Sequence, residues 1–218
     1  MSAAPGVIAV FAKPPLAGLV KTRLAATIGS ESAATLAQAF FADTWAALSR
    51  LSGARLVLAA TVAERGAYGL DEGELWLQGE GDLGQRMERI AQRALSAAPW
   101  FLALGTDSPG LPAWIVEAAW ASLTHHDAVL GPAVDGGFYL LGLRRVEPGL
   151  LSELPWSVPS TFAATAARLR ARGYSFDTAA SWFDVDEVGD LSRLTEAIAQ
   201  RHLEAPCTVA ALASLGLG

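Results

Sequence analysis

The chain predicts an α/β fold in which helices cover both faces of a mainly parallel sheet. Three observations predict it. Short uninterrupted apolar runs such as Val7–Phe11 mark strands buried on both faces. Longer stretches with helical spacing separate them, and the two kinds of segment alternate along the chain.

The elements follow in order. Val7–Phe11 is the first strand. Ser30 can cap a helix to about Arg50, with Leu36, Phe40 and Leu48 on one face. Arg55–Thr61 is the next strand, and Glu74–Leu77 follows a short polar stretch. Asp82-Leu83-Gly84-Gln85 reads as a capping box that starts a helix to about Ala97. Trp100–Leu104 is a strand, and Pro112 suits the first position of a helix to Leu123. Asp127–Leu130 and Phe138–Leu143 are strands joined by a Gly-rich turn. Pro159–Arg172 is helical and closed by Gly173, and a last helix runs from about Val188 to Gln200. With no linker or repeat in sight, 1–218 reads as a single domain.

Composition narrows the function classes. A net charge of -6 argues against a nucleic-acid surface, which needs a basic face. No apolar run approaches the roughly 20 residues of a membrane span. The amino terminus lacks the basic region of a signal peptide, and the one cysteine, Cys207, suits a reducing compartment, so a cytoplasmic location is expected.

Four polar clusters stand where strands end. In this acidic chain Lys13, Lys21 and Arg23 crowd into one Pro/Gly loop after the first strand, where open α/β sheets bind phosphates. The plainer reading is a solvated turn. Gln78 to Arg86 holds three glycines, and Gln78, Gly81, Asp82 and Gly84 can grip a base or ribose against bare backbone; Asp82 as an ordinary helix cap explains the same residues. Asp107 ends a buried strand among small residues, where a carboxylate is costly without a partner. A Mg²⁺ or Mn²⁺ ion would meet that need. Asp184 and Asp186 alternate across Val185, so both can reach one ion, although Asp186 can equally cap the last helix. In the turn between the hairpin strands, Asp135 can bond a hydroxyl or act as base beside Gly136 and Gly137. Trp156 and Ser157 can form an acceptor platform. A structural turn accounts for the Asp-Gly pair as well.

These residues carry a resemblance. Phe11-Ala12-Lys13-Pro14, Val20-Lys21-Thr22-Arg23-Leu24, Gly81-Asp82-Leu83-Gly84, Gly105-Thr106-Asp107-Ser108-Pro109, the stretch Gly131 to Gly142 and Pro155-Trp156-Ser157 recur in this order. Over about residues 6 to 200 the chain resembles small bacterial nucleotide-diphospho-sugar transferase-like proteins. These are glycosyltransferase-like proteins associated with radical-SAM or selenodomain genes, related to molybdopterin and 2-phospholactate guanylyltransferases. The resemblance implies a GT-A three-layer sandwich. It also implies phosphates at Lys13, Lys21 and Arg23, a metal at Asp107, and a second metal aspartate at Asp184 or Asp186. The chain departs from the pattern in having no Asp-x-Asp at Asp107.

The expected function is transfer from a nucleotide-diphospho-sugar donor to a small-molecule acceptor, with Lys21, Arg23 and Asp135 as catalytic residues. Two alternatives stay open. One is nucleotidyl transfer from an NTP to a phosphorylated small molecule with pyrophosphate release. The other is a non-catalytic nucleotide-binding module. The oligomeric state is not legible.

Overall fold

The computed structural model describes residues 5–200 and 202–217. Seven strands form one sheet in the order β3-β2-β1-β4-β6-β5-β7. They are β1 (Gly6–Ala12), β2 (Ala54–Ala60), β3 (Glu74–Leu77), β4 (Phe101–Leu104), β5 (Ala128–Pro132), β6 (Phe138–Leu143) and β7 (Phe176–Thr178). All neighbours run parallel except β6, which lies antiparallel between β4 and β5. The Gly-rich turn after β5 therefore closes a hairpin, a single 3₁₀ turn (Arg65–Tyr68) joins β2 to β3, and the remaining connections and the carboxyl-terminal stretch carry α-helices. These are α1 (Thr22–Ile28), α2 (Ser30–Ser49), α3 (Leu83–Leu95), α4 (Ala113–Ser122), α5 (Thr161–Ala171), α6 (Val188–Ala199) and α7 (Pro206–Ser214).

The apolar run of β1 splits by alternation between two cores. Val7 and Ala9 join Met87, Ile90 and Ala91 of α3 and Leu169 of α5 on one face. Ile8 and Val10 join Phe41 of α2 and Ile115 and Val116 of α4 on the other. Each such side chain removed from water contributes about 1.5–3 kcal/mol, which is why a continuous hydrophobic strand sits at the centre of a three-layer sandwich. A third core packs Leu24 of α1, Leu36 and Phe40 of α2, Val185, and Leu191 and Leu194 of α6. This cluster ties the loop after β1 to the segment before α6, far apart in the chain.

Several boundaries differ from the sequence reading for local reasons. Gly29, at φ 86°, closes α1 and opens α2, so Ser30 is the first helical residue rather than its cap. Pro112 stands at the cap position of α4, one place before the helix. The Asp82 capping box forms with Gln85 as expected. Three elements have no counterpart in the sequence reading: α1, β7 and α7. β7 is three residues long, and α7 begins where the buried carboxylate of Asp43 on α2 accepts the backbone N–H groups of Cys207 and Thr208 at 2.9 and 2.8 Å. Among the described residues no helix is long and apolar enough to cross a membrane.

Candidate active site

The carboxyl ends of β1 and β4 open into a cleft of about 630 Å³, in the range of small-molecule sites. Lys13 and Lys21 line it from the loop after β1, Arg23 from the first turn of α1, Asp107 from the loop after β4, and Asp186 from the segment before α6. Gln78 and Ser157 line it as well. The basic loop and the metal-type aspartates thus meet in one place.

Lys21 is the centre of this meeting. Its backbone is left-handed at φ 46°, a conformation that costs a non-glycine residue about 1–3 kcal/mol and needs support from its surroundings. The side chain is only 5% exposed and lies between Asp107, 52% exposed, and Asp186, 33% exposed. Its Nζ pairs with Asp107 and stands 2.9 Å from Asp186 Oδ1. Burial pulls the Lys21 pKa down, but the Asp107 and Asp186 charges and their hydrogen bonds outweigh it and hold the ammonium above its ordinary value. Arg23 is more open. Its guanidinium donates to Glu187 at 3.2 Å and stands 3.8 Å from Asp186, and these two partners raise its pKa.

Asp186 is free to face the cleft because another residue caps α6. Asp190 Oδ2 accepts the backbone N–H groups of Asp186 and Glu187 at 3.0 and 2.9 Å. Val185 between the two aspartates is fully buried in the third core, and its N–H donates to the Asp107 carbonyl at 2.8 Å. That bond ties the two acidic segments together. Asp184 takes a different partner from Asp186, the Ser108 hydroxyl. Its carboxyl is pushed up to about 6 by burial, against the Ser108 hydrogen bond and with help from the charges of Asp107, Asp135 and Asp186.

The Asp184 shift has a measurable consequence. The unfolded chain releases this proton near the ordinary value of 3.8 and the folded chain near 6, so in metal-free protein the group lowers stability as pH rises through that window. Asp184→Asn should therefore add roughly 1–3 kcal/mol at pH 7.5 and little at pH 4. Urea unfolding at both values checks it; equal gains at the two would deny the burial origin.

The remaining candidates divide. Gln78 is buried, and its amide donates to the carbonyls of Ala12 and Ala59 at 3.3 and 2.8 Å, bracing the ends of β1 and β2 beneath the cleft. Asp82 caps α3. Gly81, at φ +104°, leads into it, and neither lines the cleft. Gly84 is required by packing, since a Cβ there would overlap the carbonyl of Leu151. Asp135 is exposed and accepts the Gly137 N–H at 2.8 Å, while a Cβ on Gly136 would overlap the Pro159 carbonyl. Trp156 stands edge-on to Phe138 at 5.9 Å. Ser157 reaches the cleft in a left-handed backbone at φ 59°.

Among the described residues no three acidic, histidine or cysteine side chains form a ready metal cage. Asp107 and Asp186 nevertheless suit a hard cation that keeps water or phosphate in part of its shell, because both are carboxylates in an acidic cluster that exceeds its nearby cations. Arg86, which the sequence leaves open as a surface residue one turn into its helix, also lines the cleft from α3. Its signal is a cation in the first turn of a helix.

The architecture is shared with solved structures. A candidate nucleotide-diphospho-sugar transferase from Desulfovibrio desulfuricans G20 is 28% identical, with a TM-score of 0.84 over 96% of both chains. The inositol-1-phosphate CTP transferase from T. maritima has the same fold at 13% identity and a TM-score of 0.56, covering 91% of this chain and 97% of that one. Rv0371c from Mycobacterium tuberculosis H37Rv, solved in complex with manganese, is 16% identical with a TM-score of 0.56 over 89% of this chain and 100% of its own. No curated protein matches the chain. The fold is therefore that of the nucleotide-diphospho-sugar transferases. Through residues 44–158 the chain belongs to the family described as an uncharacterized protein conserved in bacteria, DUF2064.

Proposed function

We propose that the chain is a cytoplasmic, single-domain transferase that takes a group from a nucleotide-diphospho-sugar donor and passes it to a small-molecule acceptor. The observation that carries this reading is the meeting of Lys13, Lys21 and Arg23 with Asp107 and Asp186 around one nucleotide-sized cleft. An acidic cluster alone would repel a diphosphate, and a basic loop alone would bind any anion. Together they suit a polyanion accompanied by a cation.

In this reading Lys13 and Arg23 bind the diphosphate from the loop side. Lys21 holds Asp107 and Asp186 in place and offsets their charge. At 4 Å and an effective dielectric of about 20, each such pair amounts to roughly 4 kcal/mol before desolvation. Asp107 and Asp186 would hold Mg²⁺ or Mn²⁺, with Asp184 behind them on Ser108. When bound, the ion supplies Lewis-acid neutralisation of the phosphate oxygens. Asp135 is the base for an acceptor hydroxyl, and Ser157, with Trp156 behind it, forms the acceptor wall. The Asp82 cap and the close packing at Gly84 fix the start of α3 beside the cleft, while Gln78 fixes the floor. Nucleotidyl transfer is the second reading. It is favoured by the fold shared with the T. maritima CTP transferase, and in it Lys21 and Arg23 would steady the departing pyrophosphate.

A thermal-shift panel of CTP, GTP, UDP-glucose and GDP-mannose, with and without MnCl₂, tests the proposal. A ligand at 100 times its Kd stabilises by about 2.7 kcal/mol, a rise of roughly 5–10 °C for a chain of this size. Manganese-dependent stabilisation by a nucleotide or nucleotide-sugar is expected. No shift with any probe at millimolar concentration would overturn it. Sugar transfer or pyrophosphate release from the stabilising ligand then separates the two chemistries, and binding without turnover would leave a nucleotide-binding module.

A further inference from the structure

Helix α3 carries arginines at positions 86, 89 and 93, and two of them are accounted for within the protein. Arg89 donates to the carbonyls of Gln78 and Glu80. Arg93 lies 4.2 Å from the centre of the Trp76 ring. Arg86 differs. It lines the cleft, its Nε is buried without a hydrogen-bond partner, and among the described residues no carboxylate pairs with it.

Its position on the helix compounds the anomaly. Arg86 sits at the end of the first turn of α3, where unpaired backbone N–H groups already make the surroundings positive and a cation is disfavoured. A buried guanidinium N–H without an acceptor adds a desolvation cost. Phe11, Met87 and Phe138 line the same cleft and offer no acceptor. Folding gains nothing evident from this arrangement. The terminal guanidinium nitrogens are not buried with Nε, and a phosphate in the cleft would give them several acceptor oxygens that match the planar fork.

We propose that Arg86 is a substrate-binding residue that grips a phosphoryl oxygen of the nucleotide from the α3 side of the cleft, across from the Lys21 loop. The inference rests on the nucleotide-donor reading above and adds a residue and a direction of approach to it. The nucleotide phosphates then lie between two basic walls, with Lys13 and Arg23 on one and Arg86 on the other.

Calorimetric titration of CTP, GTP, UDP-glucose and inorganic pyrophosphate, each with Mn²⁺, into wild type, Arg86→Gln and Arg86→Lys tests it. Arg86→Gln should weaken the tightest of these probes tenfold or more. Arg86→Lys should recover only part, since it keeps the charge and loses the fork. Neither change should lower Tm, because among the described residues the Arg86 side chain makes no hydrogen bond or ion pair that either variant would lose. If wild type binds none of the probes, the donor reading and this assignment fall together. If wild type binds and Arg86→Gln binds within twofold of it, the donor reading stands and the assignment to Arg86 falls. A drop in Tm of more than 3 °C in both variants would give Arg86 a structural role and overturn the assignment.

Discussion

Lys21→Gly is expected to weaken nucleotide binding at least 100-fold while leaving the chain folded. Glycine is the informative replacement because Lys21 occupies a left-handed backbone that glycine adopts freely, so the change removes the ammonium without adding strain. The ammonium lies between Asp107 and Asp186, with Asp184 and Asp135 close enough to influence one another's charge. Without it an incoming diphosphate meets four carboxylates with Lys13, Arg23 and Arg86 left to offset them. A 100-fold loss corresponds to about 2.7 kcal/mol, less than one unscreened pair at 4 Å is worth at an effective dielectric near 20. Stability should change much less, since relief of the backbone offsets part of the lost ion pairing and both aspartates stay partly solvated. Calorimetry and a thermal melt read the two effects separately; affinity within threefold of wild type would remove Lys21 from the site.

The second large effect is structural. Gly84→Ala should destabilise the chain by about 2–4 kcal/mol, because its Cβ would overlap the backbone carbonyl of Leu151, which has no rotamer with which to retreat. The Leu151 segment is also tied to α3 one turn further along, where the buried Glu88 carboxylate accepts the N–H groups of Gly149 and Leu151 at 3.0 and 2.5 Å. Retreat of that segment would break a buried charge-assisted pair. Chemical denaturation gives the number, and a loss under 0.5 kcal/mol would show that α3 can slide. This glycine looks like a ligand-contacting position in the sequence, and the packing explains it without a ligand.

That contrast shows what was legible. The strands of the central sheet read directly because their apolar runs are long enough to face two cores, and the Asp82 cap read because its partner Gln85 is three residues away. α7 did not read, since its cap comes from Asp43 on a distant helix, and β7 is too short to carry a pattern. In the site, alternation about Val185 led to the expectation that Asp184 and Asp186 reach one ion together, whereas Asp186 lines the cleft and Asp184 is buried against Ser108. It could not tell that Asp190 would take over the capping of α6 and release Asp186, or that Ser108 would hold Asp184. The position of Lys21 between Asp107 and Asp186 depends on the third core, where Leu24 and Val185 meet, and no local spacing encodes that. Arg86 left a faint trace as a cation at the wrong end of a helix.

The central claim concerns one polyanion site built from the loop after β1 and the acidic segments after β4 and before α6. A crystal structure of the chain with manganese and the nucleotide or nucleotide-sugar that stabilises it most tests this directly. The account predicts phosphate density between Lys13, Arg23 and Arg86, with the ion against Asp107 and Asp186. A nucleotide bound elsewhere, with Lys21 still sealing an unchanged pair of aspartates, would contradict it.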